Sequence, residues 1–385
     1  MADGMLSNPT HPIPPRSDDE RLDWLRLIRS RRVGAVTFHR LLAEHGSARA
    51  ALAVLPEIAR VAGVQGYALC PVEVVRSEMA EARLAGAVAL FHGAKDYPTA
   101  LMDLPDAPPV LWAQGDLALL SRPMVAMVGA RNASSLGVRM ARRLAEGLGQ
   151  AGFTVVSGLA RGIDAAAHEA ALATGTVAVQ AGGVDVIYPE ENARLAEDIR
   201  LRGLRLSEQP MGMAPQTRHF PMRNRLISGL SRAVVVVEAA ARSGSLITAR
   251  NAADQGREVM AVPGHPFDAR ASGCNMLLRD GATLVRSPAD VLESLGAPPS
   301  VSTESLADTI LSQDPLPGPQ PSARALAEAA ELHSRILSRL GPSPLAEDQL
   351  IRDLSMPPAS LASALLTLEL DGQILRQPGG LLSRA

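Results

Sequence analysis

The chain has 385 residues, 46% of them hydrophobic, which is enough for one sizeable core with smaller domains beside it. A formal net charge of −2 excludes a wholly basic nucleic-acid coat, so any polyanion must be met by a local patch; nearly all the basic side chains are Arg, with Lys95 the exception. Cys70 and Cys274 are the only cysteines, far apart and without neighbouring ligands, which excludes a disulfide framework and a cysteine-based zinc site.

Residues 1–18 are rich in Pro and polar groups and read as a disordered tail. They lack the basic-then-apolar order of a signal peptide, and no later apolar run approaches the ~20 residues of a membrane helix, so a cytoplasmic location without membrane insertion is expected. Over residues 19–78, apolar residues recur at helical spacing, as in Leu22, Leu25 and Ile28 and again in Leu41, Leu42 and Leu52. This predicts a small helical domain of the SAM or helix-hairpin kind.

Over residues 79–296 the pattern changes to short β-branched runs, each followed by a turn and an alanine-rich helix. MVAMVGAR, FTVVSGLARG, VAVQAGGVDV, RAVVVVEAA and REVMAVPGHP are the clearest strand-to-turn junctions. Strands alternating with helices predict parallel βαβ units, and a continuous run such as Val234 to Val237 suits a strand buried on both faces. The expected fold is therefore α/β: an extended Rossmann-like, doubly wound, mostly parallel sheet. Residues 297–325 turn to Pro, Ser and Gly and read as a linker. Residues 326–385 then predict a helix ending near Leu340, a second over Ala346 to Leu354, a third over Pro358 to Leu370, and a two-strand wing around Pro378-Gly379-Gly380, which is a winged-helix pattern.

In an open parallel sheet, ligands bind outside the carboxyl ends of the strands. Gly129-Ala130-Arg131 follows one strand and leads to a helix from about Leu136, whose N-terminus would face an anion while Arg131 adds a forked donor. Ser157-Gly158 through Arg161-Gly162 forms a second such turn, and Ser243-Gly244-Ser245 a third. A dinucleotide site would want G-x-G-x-x-G and an acidic residue closing the next strand, and neither is present. Three turns on one edge, two carrying Arg, suit successive phosphates of a polymer. The segment from His219 to Arg225 adds Phe220 beside Arg223 and Arg225 in a chain that is only 3% aromatic. Rings that stack bases beside guanidinium groups that hold phosphates favour a single strand over a duplex. The competing reading makes Phe220 a core residue and pairs Arg223 and Arg225 with carboxylates such as Glu208 or Glu238. Asp164 and His168 share a helix face behind the second turn, where structural hydrogen bonding is expected of them rather than catalysis or metal binding. No nucleophile elbow, zinc-protease helix or Walker lysine motif is found, so neither enzyme activity nor a cofactor or metal is expected.

The stretches VGARNAS, SGLARGIDAAAH, GGVDVIYPEEN, LSEQPMG, FPMRNRLISGLS, VVVVEAAARSGSLITARNAADQGREVMAVPGHP and SGCNMLLRDGA run in order from Val128 to Ala282 and strongly resemble the bacterial DNA-processing protein A (DprA, or Smf) family. The resemblance implies a single-stranded DNA-binding protein that dimerises and helps load the RecA recombinase in natural transformation. Its DNA pocket would be lined by Gly129, Arg131, Ser157, Gly158, Arg161, Arg218, Phe220, Arg223, Asn224, Arg225, Ser243, Gly244 and Ser245. Many members carry Ser where this chain has Ala130, and Lys where it offers Arg218. A homodimer would use the late part of the domain, where Met276, Leu277 and Leu284 form an apolar group; an ordinary core strand and helix would explain them equally. The third helix of the winged-helix segment lacks Arg and Lys and carries Glu369 and Asp371, so a protein-contact or auxiliary role is expected there. Two further readings stay open. One is a nucleotide-processing hydrolase of the lysine-decarboxylase-like Rossmann group, whose motif ends in a Glu that RSGSLITAR lacks. The other is a recombinase-loading adaptor whose DNA contact is incidental.

Overall fold

The computed structural model describes residues 13–296 and, in a separate C-terminal unit, residues 333–340, 345–346, 349–350, 353, 361, 364–365, 368, 373–377 and 381–384. The linker expected over 297–325, most of the expected third winged-helix helix and the tail through residue 12 lie outside the described residues. Among the described residues no helix is long and apolar enough to cross a membrane.

Four helices open the first unit: α1 (Asp18–Arg29), α2 (Ala35–His45), α3 (Ala48–Val61) and α4 (Val72–Ala85). Helix α1 starts where the sequence supplies a capping box, with Ser17 and Glu20 bonding reciprocally to each other's backbone N–H, and acidic residues fill its first turn. Trp24, Phe38, Leu41, Leu52 and Val75 form one core with Phe91, Val110 and Trp112 of the sheet, so the helices pack on the sheet rather than forming an isolated domain. Glu78 ties the two together: its carboxylate pairs with Arg29 at 2.8 Å and accepts the Trp112 indole N–H at 2.7 Å. Helix α4 consequently runs straight through the domain boundary expected at residue 78.

The sheet strands are β1 (Val88–Phe91), β2 (Val110–Gly115), β3 (Met124–Val128), β4 (Thr154–Ser157), β5 (Thr176–Val179), β6 (Leu204–Ser207), β7 (Ala233–Val236), β8 (Glu258–Ala261) and β9 (Thr283–Leu284). A short α5 (Thr99–Met102) lies between the first two. The spatial order is β1-β2-β6-β5-β4-β3-β7-β8-β9, with every pair from β6 to β9 parallel and β1 and β2 added antiparallel at one end. The five junctions legible in the sequence are β3, β4, β5, β7 and β8, and strand β7 is buried on both faces as its run of Val requires. The crossovers α6 (Ser135–Gln150), α7 (Ile163–Ala171) and α8 (Ala193–Arg202) cover one face together with α12 (Pro288–Leu295). The other face carries α9 (His219–Leu230), α10 (Ser245–Asp254) and α11 (Ser272–Arg279). The chain thus winds from β3 outward to β6, returns across the sheet through α9, and continues from β7 to β9 on the far side of β3. This doubly wound order brings all the βα turns of the parallel strands to one edge.

In the C-terminal unit, residues 333–339 are helical and strands β10 (Leu345–Ala346), β11 (Ile374–Gln377) and β12 (Leu381–Arg384) form a small sheet in the order β10-β12-β11. The antiparallel β11 and β12 pair on either side of residues 378–380, around which a wing was expected and which lie outside the described residues. Ala346, expected to start a helix, is instead in β10 and pairs with Leu381, because a third strand completes this winged-helix sheet. Ile336, Leu340, Leu350, Leu361, Leu365, Leu368, Ile374 and Leu382 make its core.

Candidate nucleic-acid interface

The turn after β4 is held by hydrogen bonds at nearly every backbone group. Asp164 Oδ2 accepts the N–H groups of Gly158 (3.1 Å) and Ala160 (3.3 Å). Leu159 adopts a left-handed backbone, φ 58°, that a non-glycine residue tolerates only when its surroundings enforce it. They do so here: its N–H donates to His168 Nε2 (3.3 Å), its C=O accepts from Asn192 (2.9 Å), and its side chain is fully buried. The Thr176 hydroxyl donates to the Val155 carbonyl, so it accepts from His168 Nδ1–H at 2.7 Å, which fixes the tautomer. Burial, with Arg223 nearby, lowers the His168 pKa to about 3, and the ring is neutral. Asp164 and His168 therefore have the hydrogen-bonding role expected of them.

Arg223 reaches up from α9 into the same turn. Its Nη1 donates to the carbonyls of Gly158 and Val179, the latter at 2.7 Å, bridging the carboxyl ends of β4 and β5. A Cβ on Gly158 would sit 2.0 Å from that nitrogen, so the close approach requires glycine. Desolvation pulls the Arg223 pKa down to about 10, with Asp164 opposing the shift, and the guanidinium stays charged at neutral pH. Its Nε has no partner among the described residues.

Above this buried cation lies a cleft of about 650 Å³, lined among others by Arg131, Gly158, Arg161, Gln180, Tyr188, Phe220 and Arg223. The Arg131 guanidinium lies over the Phe220 ring at 5.3 Å, and the Tyr188 ring stands 5.8 Å from Phe220 at 54°. A base sandwiched between two rings needs two stacking distances, about 6.8 Å at ~3.4 Å each. The two rings therefore already touch, and a base would stack on an outer face or take the place of Arg131. Arg161 is exposed and pairs with Glu191 at 3.4 Å; Glu190 and Glu191 are the acidic members of the lining.

The turn after β3 behaves differently. Strand order reverses between β3 and β7, the place where a doubly wound sheet opens its ligand crevice. The donors expected there for an external anion are taken by Glu238, which is 8% exposed. Its carboxylate accepts the Ser134 N–H (3.0 Å) and the Ser134 hydroxyl (2.5 Å) at the N-terminus of α6. A Cβ on Gly137 would lie 2.5 Å from Glu238 Oε2. An internal carboxylate thus stands where a nucleotide phosphate would lie, and the expectation of an anion on the α6 N-terminus is corrected.

Five of the predicted residues meet in the cleft: Arg131, Gly158, Arg161, Phe220 and Arg223. Arg225 does not, because it points away from Arg223 and is half-buried against Asp106 (3.2 Å) and Glu208 (2.5 Å), the carboxylate pairing that was the competing reading for it. Ser157 is buried, its hydroxyl donating to the Met127 carbonyl at 2.6 Å, and Gly129 is packed against Ile163 and Glu238. Ser243 and Ser245 bond to each other at 2.7 Å in the turn after β7, with Gly244 exposed between them. Arg218 caps the start of α9 as an exposed residue, and Asn224 is half-buried one step after Arg223. Of the apolar group on α11 and β9, Met276 and Leu284 are exposed, whereas Leu277 packs partly on the core.

Residues 88–296 match the family described as DNA recombination-mediator protein A, residues 18–81 the DprA-like N-terminal HHH domain, and residues 320–380 the DprA winged helix domain. The chain belongs to the DprA family. Protein Smf of Synechocystis is 37% identical to it over 305 residues, covering 74% of this chain and 77% of that one. DNA processing protein DprA of Streptococcus pneumoniae is 48% identical over 198 residues, 51% of this chain and 70% of that protein. The X-ray structure of DprA from S. pneumoniae covers 68% of this chain and 98% of its own, at 36% identity and a TM-score of 0.57. DNA processing protein A of Helicobacter pylori, described for its single-stranded DNA binding mode, covers 54% and 95% at 31% identity and a TM-score of 0.51.

Among the cleft residues of this DprA-family chain that were absent from the sequence-derived set, Tyr188 and Gln180 offer a ring and an amide to a base. Tyr188 is half exposed beside Phe220, and its signal was available: it is one of three Tyr and follows a β-strand on the binding edge. Gln180 directly follows β5 and is 4% exposed; its Nε2 donates to the Val186 carbonyl (3.2 Å), while Oε1 has no partner among the described residues. A buried amide with an open acceptor suits a base edge.

Proposed function

We propose that this member of a DNA-processing family binds single-stranded DNA in the cleft over β4 and β5 and carries out no covalent step on it. Arg131 and Arg161 hold phosphates, bases stack on Phe220 and Tyr188, and the buried Arg223 supplies positive charge from below. The observation that carries this reading is the stacking of Arg131 on Phe220 next to the exposed Tyr188 at the mouth of the cleft. Paired bases keep their faces within the duplex, so exposed rings select unpaired strands. The single-strand binding described for the H. pylori relative supports it.

At a finer level we assign the protein to the cytoplasm, to the loading of RecA onto DNA taken up in transformation, and to a homodimer formed through Met276, Leu277 and Leu284. The hydrolase reading is weaker. It needs a general acid-base at the Gly-rich turn, where RSGSLITAR offers none, and Asp164 and His168 are committed to the β4 turn.

The test is fluorescence anisotropy of labelled oligothymidylate and of a matching duplex, with the unaltered protein and an Arg131→Ala, Phe220→Ala double variant, at two salt concentrations. The expected result is preferential single-strand binding that weakens by about a hundredfold or more in the variant, with a shallower salt dependence. Equal binding by both proteins would move the DNA site to another part of the chain.

A further inference from the structure

We propose that the loop after β8, which carries Phe267, is a second base-stacking platform that continues the single-strand path beyond the cleft. The proposal rests on the cleft being a single-strand site. The chain has two Trp, three Tyr and five Phe. Trp24, Trp112, Tyr97, Phe38, Phe91 and Phe153 are buried, and Tyr67 is half-buried in the helical region. The remaining three, Tyr188, Phe220 and Phe267, all stand on the carboxyl edge of the parallel sheet. Phe267 is 94% exposed, forgoing the roughly 1.5–3 kcal/mol that burying such a side chain brings.

The ring is exposed by an ordered turn. Asn275 reads both backbone groups of Gly264, accepting its N–H at 3.2 Å and donating to its C=O at 3.0 Å. Asp268 N–H closes on the His265 carbonyl (2.9 Å) and Ala271 N–H on the Asp268 carbonyl (3.0 Å). The Phe267 ring lies 5.6 Å from that of His265, whose Nδ1 accepts the Phe267 N–H. Ser272 then ties the loop to the turn after β7, donating to the Ala269 carbonyl and accepting from Ala241 N–H. A pre-set platform loses little entropy when a ligand arrives.

The path between cleft and loop is continuous. Ile163 N–H bonds to the Ala130 carbonyl, Ala130 N–H to that of Glu238, and Gly273 N–H to that of Ala239, so the turns after β4, β3, β7 and β8 touch in series. From β4 to β8 is three strand spacings, about 14 Å at ~4.8 Å each. That is about four rises of a stacked strand at ~3.4 Å per phosphate. Arg131, Arg242 and Arg270 are exposed along this rim and have no ion-pair partner among the described residues. The acid on the loop, Asp268, turns Oδ1 to the Arg270 N–H.

The experiment titrates a graded series of labelled oligothymidylates with the full chain and with Phe267→Ala and Phe267→Trp, and follows oligomeric state by sedimentation. Phe267→Ala should match the unaltered protein on the shortest oligonucleotides that bind. On longer ones it should fall about five- to hundredfold below it, with Phe267→Trp restoring the gain. Equal affinities at every length, a uniform loss at every length, or a loss accompanied by a changed oligomeric state would overturn the platform. Binding of no oligonucleotide by the unaltered protein would overturn both cleft and platform. If the Arg131→Ala, Phe220→Ala variant binds normally, the cleft falls and the platform as its continuation falls with it; if that variant loses binding while Phe267→Ala matches the unaltered protein at every length, the platform alone falls.

Discussion

At the ends of β3 and β7 the first turn of α6 closes on Glu238, whereas at the neighbouring ends of β4 and β5 the buried Arg223 closes only on backbone carbonyls. The first position has its anion built in, and a phosphate brought there would meet a carboxylate already holding the helix donors. The second presents the charged Arg223 from below, while Asp164, whose pKa burial raises, spends its oxygen on the N–H groups of the β4 turn. One sheet edge thus contains a closed and an open version of the same device. What separates them is the residue type that the fold places beneath each turn.

The largest effect should come from Arg225, which lies two positions after Arg223 and has the opposite fate. Its guanidinium is paired with Glu208 and Asp106, and burial raises the Glu208 pKa against the pull of Arg225. Arg225→Ala should cost about 3–5 kcal/mol in chemical denaturation, as expected when one partner of a buried pair is removed. The folded variant should bind single-stranded DNA like the unaltered protein, and Arg225→Lys should recover part of the stability. A loss of affinity beyond about tenfold in Arg225→Lys would place this residue in the binding path and break the contrast with Arg223.

That contrast also marks where the sequence stops being informative. Residues two apart on a helix point about 200° away from each other, so only one of the two Arg can face the cleft. Choosing between them requires knowing that Glu208 and Asp106, from the end of β6 and the loop before β2, converge beneath the second. The β-branched runs of β3, β4, β5, β7 and β8 could be read because strands buried on both faces are apolar without interruption. Strands β1, β2, β6 and β9 were not singled out: β6 reads LRLS with a buried Arg205, and β9 has two residues. Tyr188 escaped for a related reason, since the irregular segment after β5 has no periodicity to say which way a ring faces. The helical region was legible as helices, but its packing on Trp112 and Val110 was not, because that face is defined by strands far along the chain.

A smaller effect should follow from opening the closed position. Glu238→Gln keeps the shape but removes the charge that receives the Ser134 N–H and hydroxyl, and should lower stability by about 1–3 kcal/mol in urea. Affinity for single-stranded DNA should stay within about twofold of the unaltered protein. A fall of about tenfold or more would show that Glu238 shapes the cleft, and the two positions could no longer be treated as independent.

The smallest effect concerns the floor of the open position. The neutral His168 holds the β4 turn, with a pKa near 3 in the folded protein against about 6.5 in an unfolded chain. Between those values the unfolded chain takes up a proton that the folded protein refuses, so this contribution is complete above about pH 6.5. It is lost as the pH falls, by at most about 1.4 kcal/mol per unit. Asp164, whose pKa is raised by burial, acts in the other direction and gains stability on acidification. Replacing His168 by Gln removes the first slope and leaves the second. Urea denaturation at a series of pH values should therefore show the stability advantage of the unaltered protein over His168→Gln shrinking steadily from neutral pH into acid. Single-strand binding by the folded protein should hold over the same range as far as this turn is concerned, because the folded imidazole stays neutral down to about pH 3. Parallel stability curves would mean that the imidazole is not holding the turn, and the rigidity of the open position would then have to come from Asp164 and Arg223 alone.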